Sequence, residues 1–202
     1  MSLRFLPNLL CVLRMLLVYP VARAILDERH QAVLLIFAIA AFTDGLDGFL
    51  AKRFGWSSEL GKHLDPAADK LLLVTVFVCL SVAGLVPWWL TAVVLLRDVV
   101  IVVGAGIYRA LFGPVRGEPT LQSKLNTVCQ ILFCLAAVSA AAFAWPSEPA
   151  IIALGALVFI TTTVSGIDYV LIYSRRAAAV TRTRAAGAHL SLIHISEPTR
   201  RS

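Results

Sequence analysis

Six long apolar runs dominate this chain of 202 residues, at 6–26, 31–50, 60–86, 88–112, 121–145 and 150–173. A bilayer's hydrocarbon core is roughly 30 Å thick and a helix rises ~1.5 Å per residue, so each run is long enough to cross. Lipid offers the backbone no water to bond, which leaves helices or closed barrels as spanning structures. Apolar runs of this length without strict alternation read as helices, even where Arg14 and Pro20 break the first and Arg97, Asp98 and Arg109 lie in the fourth. The expected fold class is all-α: a polytopic integral membrane protein with six transmembrane helices.

The remaining composition fits that reading. Hydrophobic residues make up 59% of the chain and charged ones 15%, with a mean hydropathy of +0.83. The net charge is +6. On a soluble domain that balance would suggest nucleic acid. In a membrane protein, basic residues set topology and hold anionic headgroups, so no nucleic-acid partner is expected. Cys11, Cys79, Cys129 and Cys134 lie in apolar runs without metal-ligand spacing and read as small packing residues.

Basic residues cluster on alternate connections. Arg4 precedes the first run; Lys52, Arg53 and Lys62 join the second to the third. Arg109, Arg116 and Lys124 surround the connection from fourth to fifth, and Arg175, Arg176, Arg182 and Arg184 follow the sixth. The opposite connections carry Arg23 and Arg29, offset by Asp27 and Glu28. By the positive-inside rule both termini face the cytoplasm, as does the connection from second to third run; a bacterial inner membrane is the expected location. Val86-Pro87-Trp88-Trp89 and Trp145-Pro146-Ser147-Glu148-Pro149 read as tight turns with interfacial tryptophans.

Four carboxylates, Asp44, Asp47, Asp65 and Asp69, sit where the second run ends and the third begins. Carboxylates at such depth are costly and by default mark a site. On helices the first pair is spaced i,i+3 and the second i,i+4, so each pair shares a face. An all-oxygen cage of this kind suits Mg²⁺ or Mn²⁺. Plainer readings exist. Asp65 could cap a helix with Pro66 at its first position. Gly48 and Gly61 could simply permit close helix packing. Arg97 and Asp98 could form a structural pair, as could Lys70 and Asp168.

As a pattern the stretch reads Asp44-x2-Asp47-Gly48-x2-Ala51-Lys52-x8-Gly61-x3-Asp65-x3-Asp69. It resembles the signature of the CDP-alcohol phosphatidyltransferases, with Lys52 where that family has Arg. Pro7-Asn8-Leu9-Leu10, Arg14 and Pro20 resemble the family's first segment, and Asp65-Pro66-Ala67-Ala68-Asp69-Lys70 is phrased like its phosphatidylglycerol and cardiolipin branch. The resemblance implies the family's membrane fold and transfer of a phosphatidyl group from CDP-diacylglycerol to an alcohol, with CMP leaving. It implies two Mg²⁺ or Mn²⁺ ions on Asp44, Asp47, Asp65 and Asp69, with Asp69 also the general base. Gly48, Ala51 and Gly61 would let the nucleotide approach the helices closely. Asn8, Arg14 and Lys52 would complete the cytidine and diphosphate site. Lys52 brings a point charge rather than a planar fork.

The resemblance implies phosphatidylglycerol or glycerol 3-phosphate as the acceptor. Both carry phosphate, and Arg97, Arg109, Arg116 and Lys124 are the bases placed to hold it. Arg97-Asp98-Val99-Val100 and the stretch 119–127 resemble the CMP-forming cardiolipin synthases, which leans the reading toward phosphatidylglycerol. Membrane lipids, and a second copy of the chain in a homodimer, are candidate partners. Two other functions compete: a prenyltransferase-like enzyme with aspartate-rich motifs, and a proton or cation transporter. The first usually splits its aspartates between distant parts of a chain, and the second has no need of glycines at fixed offsets. The domain reading is a membrane domain over 1–176 and a basic tail over 177–189. Residues 190–202 contain Leu190-Ser191-Leu192-Ile193-His194-Ile195-Ser196-Glu197-Pro198-Thr199-Arg200, which matches a translated sequencing adapter and is expected to be non-native and disordered.

Overall fold

The structure, a computed structural model, describes residues 6–40, 59–113 and 121–195. Every element among them is a helix: α1 (Leu6–Leu26), α2 (His30–Ala40), α3 (Glu59–Val82), α4 (Trp88–Phe112), α5 (Leu121–Phe143) and α6 (Glu148–Ile195). Three of them are long and apolar enough to cross a membrane: Trp88–Leu111, Leu121–Phe143 and Glu148–Ala178. Met15–Leu26, His30–Ala40 and Lys70–Val82 are apolar but shorter among the described residues. The expected fold class is what the structure shows.

Helix ends follow local chemistry. Gly84 ends α3 at φ +75°, where its N–H bonds Ser81 O at 3.1 Å and the Leu85 N–H bonds Leu80 O at 2.9 Å. Crossed bonds of this kind need a left-handed residue at that point, and glycine adopts it without a Cβ penalty. Pro87 then precedes α4 with extended backbone. Glu28 ends α1 in the same crossed pattern, at φ +56°.

Two boundaries differ from the sequence reading. Asp65 is not a cap, because α3 is helical from Glu59 and Pro66 lies inside it. α6 continues beyond 173 and includes both the basic tail and residues 190–195, where disorder was expected. Between 174 and 195 there is no proline, and 10 of the 22 residues are alanine or arginine, both good helix formers.

α3 packs against α1, α4 and α5, while α6 packs against α4 and α5. The buried core joins Val21 and Ile25 of α1, Val33 and Phe37 of α2, and Val76, Phe77 and Leu80 of α3. Leu90 and Val94 of α4, Phe133, Cys134 and Val138 of α5, and Val158 of α6 complete it. The Phe77 and Phe133 rings stack with centroids 6.2 Å apart. Cys79 and Cys134 are buried in this core, as the packing role requires. On α4 the face with Leu90, Val94 and Arg97 turns inward, while Leu96, Val99, Val103 and Ile107 are exposed. An apolar exterior is what a lipid solvent selects. Trp88, Trp89 and Trp145 are exposed at the turn end of the bundle, where interfacial aromatics sit.

Apolar side chains gain little by leaving lipid for one another, so close packing and polar contacts hold such helices together. Gly155 of α6 shows the first effect: a Cβ there would lie 3.3 Å from Phe133 Cε2 and 3.7 Å from Leu90 Cδ2. Asn126 of α5 shows the second, its Oδ1 accepting from Thr162 Oγ1 at 2.8 Å and Thr161 Oγ1 at 3.0 Å. Gly155→Leu should therefore push α6 off α5 and destabilise the bundle by about 1–3 kcal/mol, with Gly155→Ala costing much less. Thermal unfolding in detergent checks this; equal midpoints for Gly155→Leu and the parent would refute the close-packing account.

Candidate functional site

The carboxylate motif straddles the start of α3. Gly61, Asp65 and Asp69 all lie on this helix, with Asp65 and Asp69 one turn apart. Asp44, Asp47, Gly48, Ala51, Lys52 and Arg116 lie outside the described residues. So do the side chains of Asp65, Asp69, Asn8 and Arg14, the last two on α1. Among the described residues no cluster of His, Cys, Asp or Glu could hold a metal ion. The backbone spacing of Asp65 and Asp69, and the hard oxygen chemistry of the four-carboxylate set, fit a divalent cation.

Immediately beyond Asp69 the geometry is explicit. Lys70 Nζ donates to Asp98 Oδ1 on α4 at 2.5 Å. The same oxygen accepts from Arg97 Nη1 at 2.8 Å. Arg97 Nη2 donates to Ser123 Oγ of α5 at 2.8 Å and to Ser165 Oγ of α6 at 2.6 Å. Arg97 is only 5% exposed. Thus four helices meet on one Arg–Asp pair at the level of the motif's last residue. In so dry a setting removing one partner of such a pair typically costs about 3–5 kcal/mol, since the other charge is left stranded.

The four candidate bases for an acceptor phosphate separate here. Arg109 and Lys124 are exposed, on the last turns of α4 and the first turn of α5. Arg97 is buried, with both terminal nitrogens committed to protein partners and only Nε left without one. The structural-pair reading of Arg97 and Asp98 is the one this geometry favours, and Lys70 joins that pair. Ser123 and Ser165 were not singled out from the sequence. The available signal was indirect: a charged pair inside an apolar run requires polar partners on neighbouring helices.

α4 and α6 continue side by side past this cluster. Tyr108 and Tyr173 meet edge to face at 5.3 Å, Tyr169 stacks on Tyr173 at 4.2 Å, and the Arg176 guanidinium lies 5.7 Å from the Tyr173 ring centre. Between the two helices a groove of about 420 Å³ opens, lined by Val93, Leu96, Val100, Ile167 and Leu171 with Arg97 and Thr162 in its wall.

Comparison with known proteins gives this geometry its context. A family profile described as CDP-alcohol phosphatidyltransferase matches residues 4–167. Cardiolipin synthase (CMP-forming) of Rattus norvegicus is 31% identical over 179 residues, covering 81% of this chain and 59% of the relative. The Homo sapiens protein of the same name is also 31% identical, with 81% of this chain and 60% of the relative covered. The chain therefore spans about three fifths of the length of these two relatives. A probable phosphatidylglycerophosphate synthase of Mycobacterium tuberculosis is 31% identical over 172 residues, covering 82% of this chain and 79% of the relative. A six-helix apolar bundle with paired aspartates at the start of its third helix, matched by the profile from the first helix into the sixth, identifies the chain as a member of the CDP-alcohol phosphatidyltransferase family.

Proposed function

We propose that this chain transfers the phosphatidyl group of CDP-diacylglycerol to a glycerol-type alcohol and releases CMP, as a step of phospholipid synthesis. The observation that carries the reading is the intact aspartate pattern from Asp44 to Asp69 inside the family match. The favoured acceptor is phosphatidylglycerol, giving cardiolipin. The phrasing around Arg97 supports it, and so do the names of the rat and human relatives. Glycerol 3-phosphate is the second reading, favoured by the name of the mycobacterial relative.

In this reading Asp44, Asp47, Asp65 and Asp69 hold two Mg²⁺ or Mn²⁺ ions. When bound, those ions supply charge neutralisation to the diphosphate and to the developing CMP phosphate. Asp69 takes the proton of the acceptor hydroxyl as its oxygen attacks the phosphorus that carries diacylglycerol. Gly48, Ala51 and Gly61 leave room for the nucleotide, and Asn8, Arg14 and Lys52 bind its polar groups. The exposed Arg109 and Lys124, together with Arg116, receive the acceptor phosphate. Arg97, already bonded to Asp98, Ser123 and Ser165, is left to the bundle. The groove between α4 and α6 would suit an acyl tail. The positive-inside distribution supports a cytoplasmic carboxylate end, in this reading at a bacterial inner membrane.

The test is an assay of the purified full chain with CDP-diacylglycerol and each acceptor, read by CMP release and product mass. Cardiolipin from phosphatidylglycerol is expected, lost in excess chelator and restored by Mg²⁺ or Mn²⁺. Undiminished turnover in chelator would sink the metal assignment, and phosphatidylglycerol phosphate as sole product would reverse the acceptor assignment.

Asp69→Asn keeps the size and one ligating oxygen but removes the proton acceptor. It should cut turnover by at least a thousandfold while CDP-diacylglycerol binding stays within a few-fold. Asp44→Asn should instead weaken metal and donor binding together. Substantial turnover by Asp69→Asn would leave that residue as a ligand only.

Lys124→Ala and Arg109→Ala should each raise KM for the acceptor about tenfold, with donor KM little changed, as expected for a separate pocket. A parallel rise of both KM values would remove the distinction between the two pockets.

A further inference from the structure

Of the described contacts on α3, the one nearest the carboxylate motif is the ion pair from Lys70 to Asp98. Lys70 is joined to Asp69 by a single peptide bond. Its partner is held by an arginine that two further helices fix in place. Asp98 Oδ1 is held by Arg97 Nη1 at 2.8 Å, and Arg97 is in turn held by Ser123 of α5 and Ser165 of α6 at 2.8 and 2.6 Å. The core packing of α3 through Leu72, Leu73, Val76, Phe77 and Leu80 begins about one turn beyond Asp69 and runs on from there. Helices in an apolar medium slide and rotate against one another with little hydrophobic resistance. A polar tether placed next to the motif therefore has a job that apolar packing further along cannot do.

We propose that Lys70 and Asp98 are positioning residues: their ion pair fixes the height and rotation of the first half of α3, and with them the place of Asp65 and Asp69. The proposal rests on the reading that these carboxylates hold a divalent cation. Residues of such a site must be kept within about 0.5 Å and 10–20° of working geometry. One residue of slippage along a helix is ~1.5 Å and ~100° of turn, well outside that tolerance.

Charge and tether make opposite predictions, which gives the test its sign. Lys70 is a cation beside a cation site. By Coulomb repulsion alone, removing it would tighten metal binding. As a tether, removing it loosens the carboxylates and weakens binding. Lys70→Gln suits the purpose because Asp98 stays paired with Arg97, so the junction of α4, α5 and α6 remains closed. Lys70→Arg keeps a cation long enough to reach Asp98.

The experiment uses the full chain in detergent micelles, with Mn²⁺ binding followed by calorimetry and amide hydrogen exchange followed over residues 59–69. Lys70→Gln should bind Mn²⁺ at least fivefold more weakly and exchange at least fivefold faster over 59–69. Lys70→Arg should return both to within twofold of the parent. Asp98→Asn, where it folds, should reproduce both defects with Lys70 intact. Unchanged exchange over 59–69 in Lys70→Gln, or tighter Mn²⁺ binding, would overturn the proposal. Faster exchange in a chain whose parent binds no Mn²⁺ would uphold the tether and instead defeat the metal reading of the carboxylates.

Discussion

A charge inside an apolar bundle has to be satisfied by the protein itself, and the Arg97–Asp98 pair is where this chain meets that demand. Arg97 is almost wholly buried. Its two terminal nitrogens reach Asp98, Ser123 and Ser165, and Asp98 reaches across to Lys70. In water such contacts would compete with solvent and contribute little. Here the alternative is a stranded charge, so the cluster defines how α3, α4, α5 and α6 meet. It also lies one residue from Asp69, the last aspartate of the family-like pattern.

The rest of the bundle follows from the same solvent. Because lipid covers the outside, side chains such as Leu96, Val99 and Val103 can remain exposed without penalty. Hydrophobicity then no longer tells inside from outside. Shape and polarity take over that function. Gly155 admits the Phe133 ring, and Gly104, where a Cβ would lie 3.2 Å from Tyr169 Cε1, admits another on the far half of α4. Asn126 is buried and bonds two threonines of α6, while Ser81 and Thr91 bond each other at 2.6 Å across α3 and α4. Such contacts specify α3 against α4, α4 against α6 and α5 against α6 at more than one level each.

The bundle divides into two halves along its height. A rigid half, built on the Phe77–Phe133 core, lies toward the tryptophan turns. Asp65 and Asp69 on α3 lie toward the other half, where α4 and α6 run on beyond the Arg97 cluster and present exposed basic residues.

Much of this was legible in the sequence. Apolar runs locate all six helices, because in lipid a spanning segment must bond its own backbone. The turns around Pro87 and around Trp145 follow from proline and tryptophan. The family and the spacing of Asp44, Asp47, Asp65 and Asp69 are matters of local pattern, and a regular helix turns spacing into shared faces. Helix ends were less legible: Asp65-Pro66 looks like a start, and only the helix from Glu59 shows that it is interior. The role of Arg97 was open for a different reason. A lone charged pair in an apolar run reads equally as a ligand-binding group or a structural one. What separates them is the arrival of Lys70, Ser123 and Ser165 from three other helices, at sequence distances of 26 to 68 residues. Contacts of that range depend on how helices cross, which no local pattern encodes, so the tertiary structure alone decided that Arg97 faces inward and that α3 is held beside its aspartates.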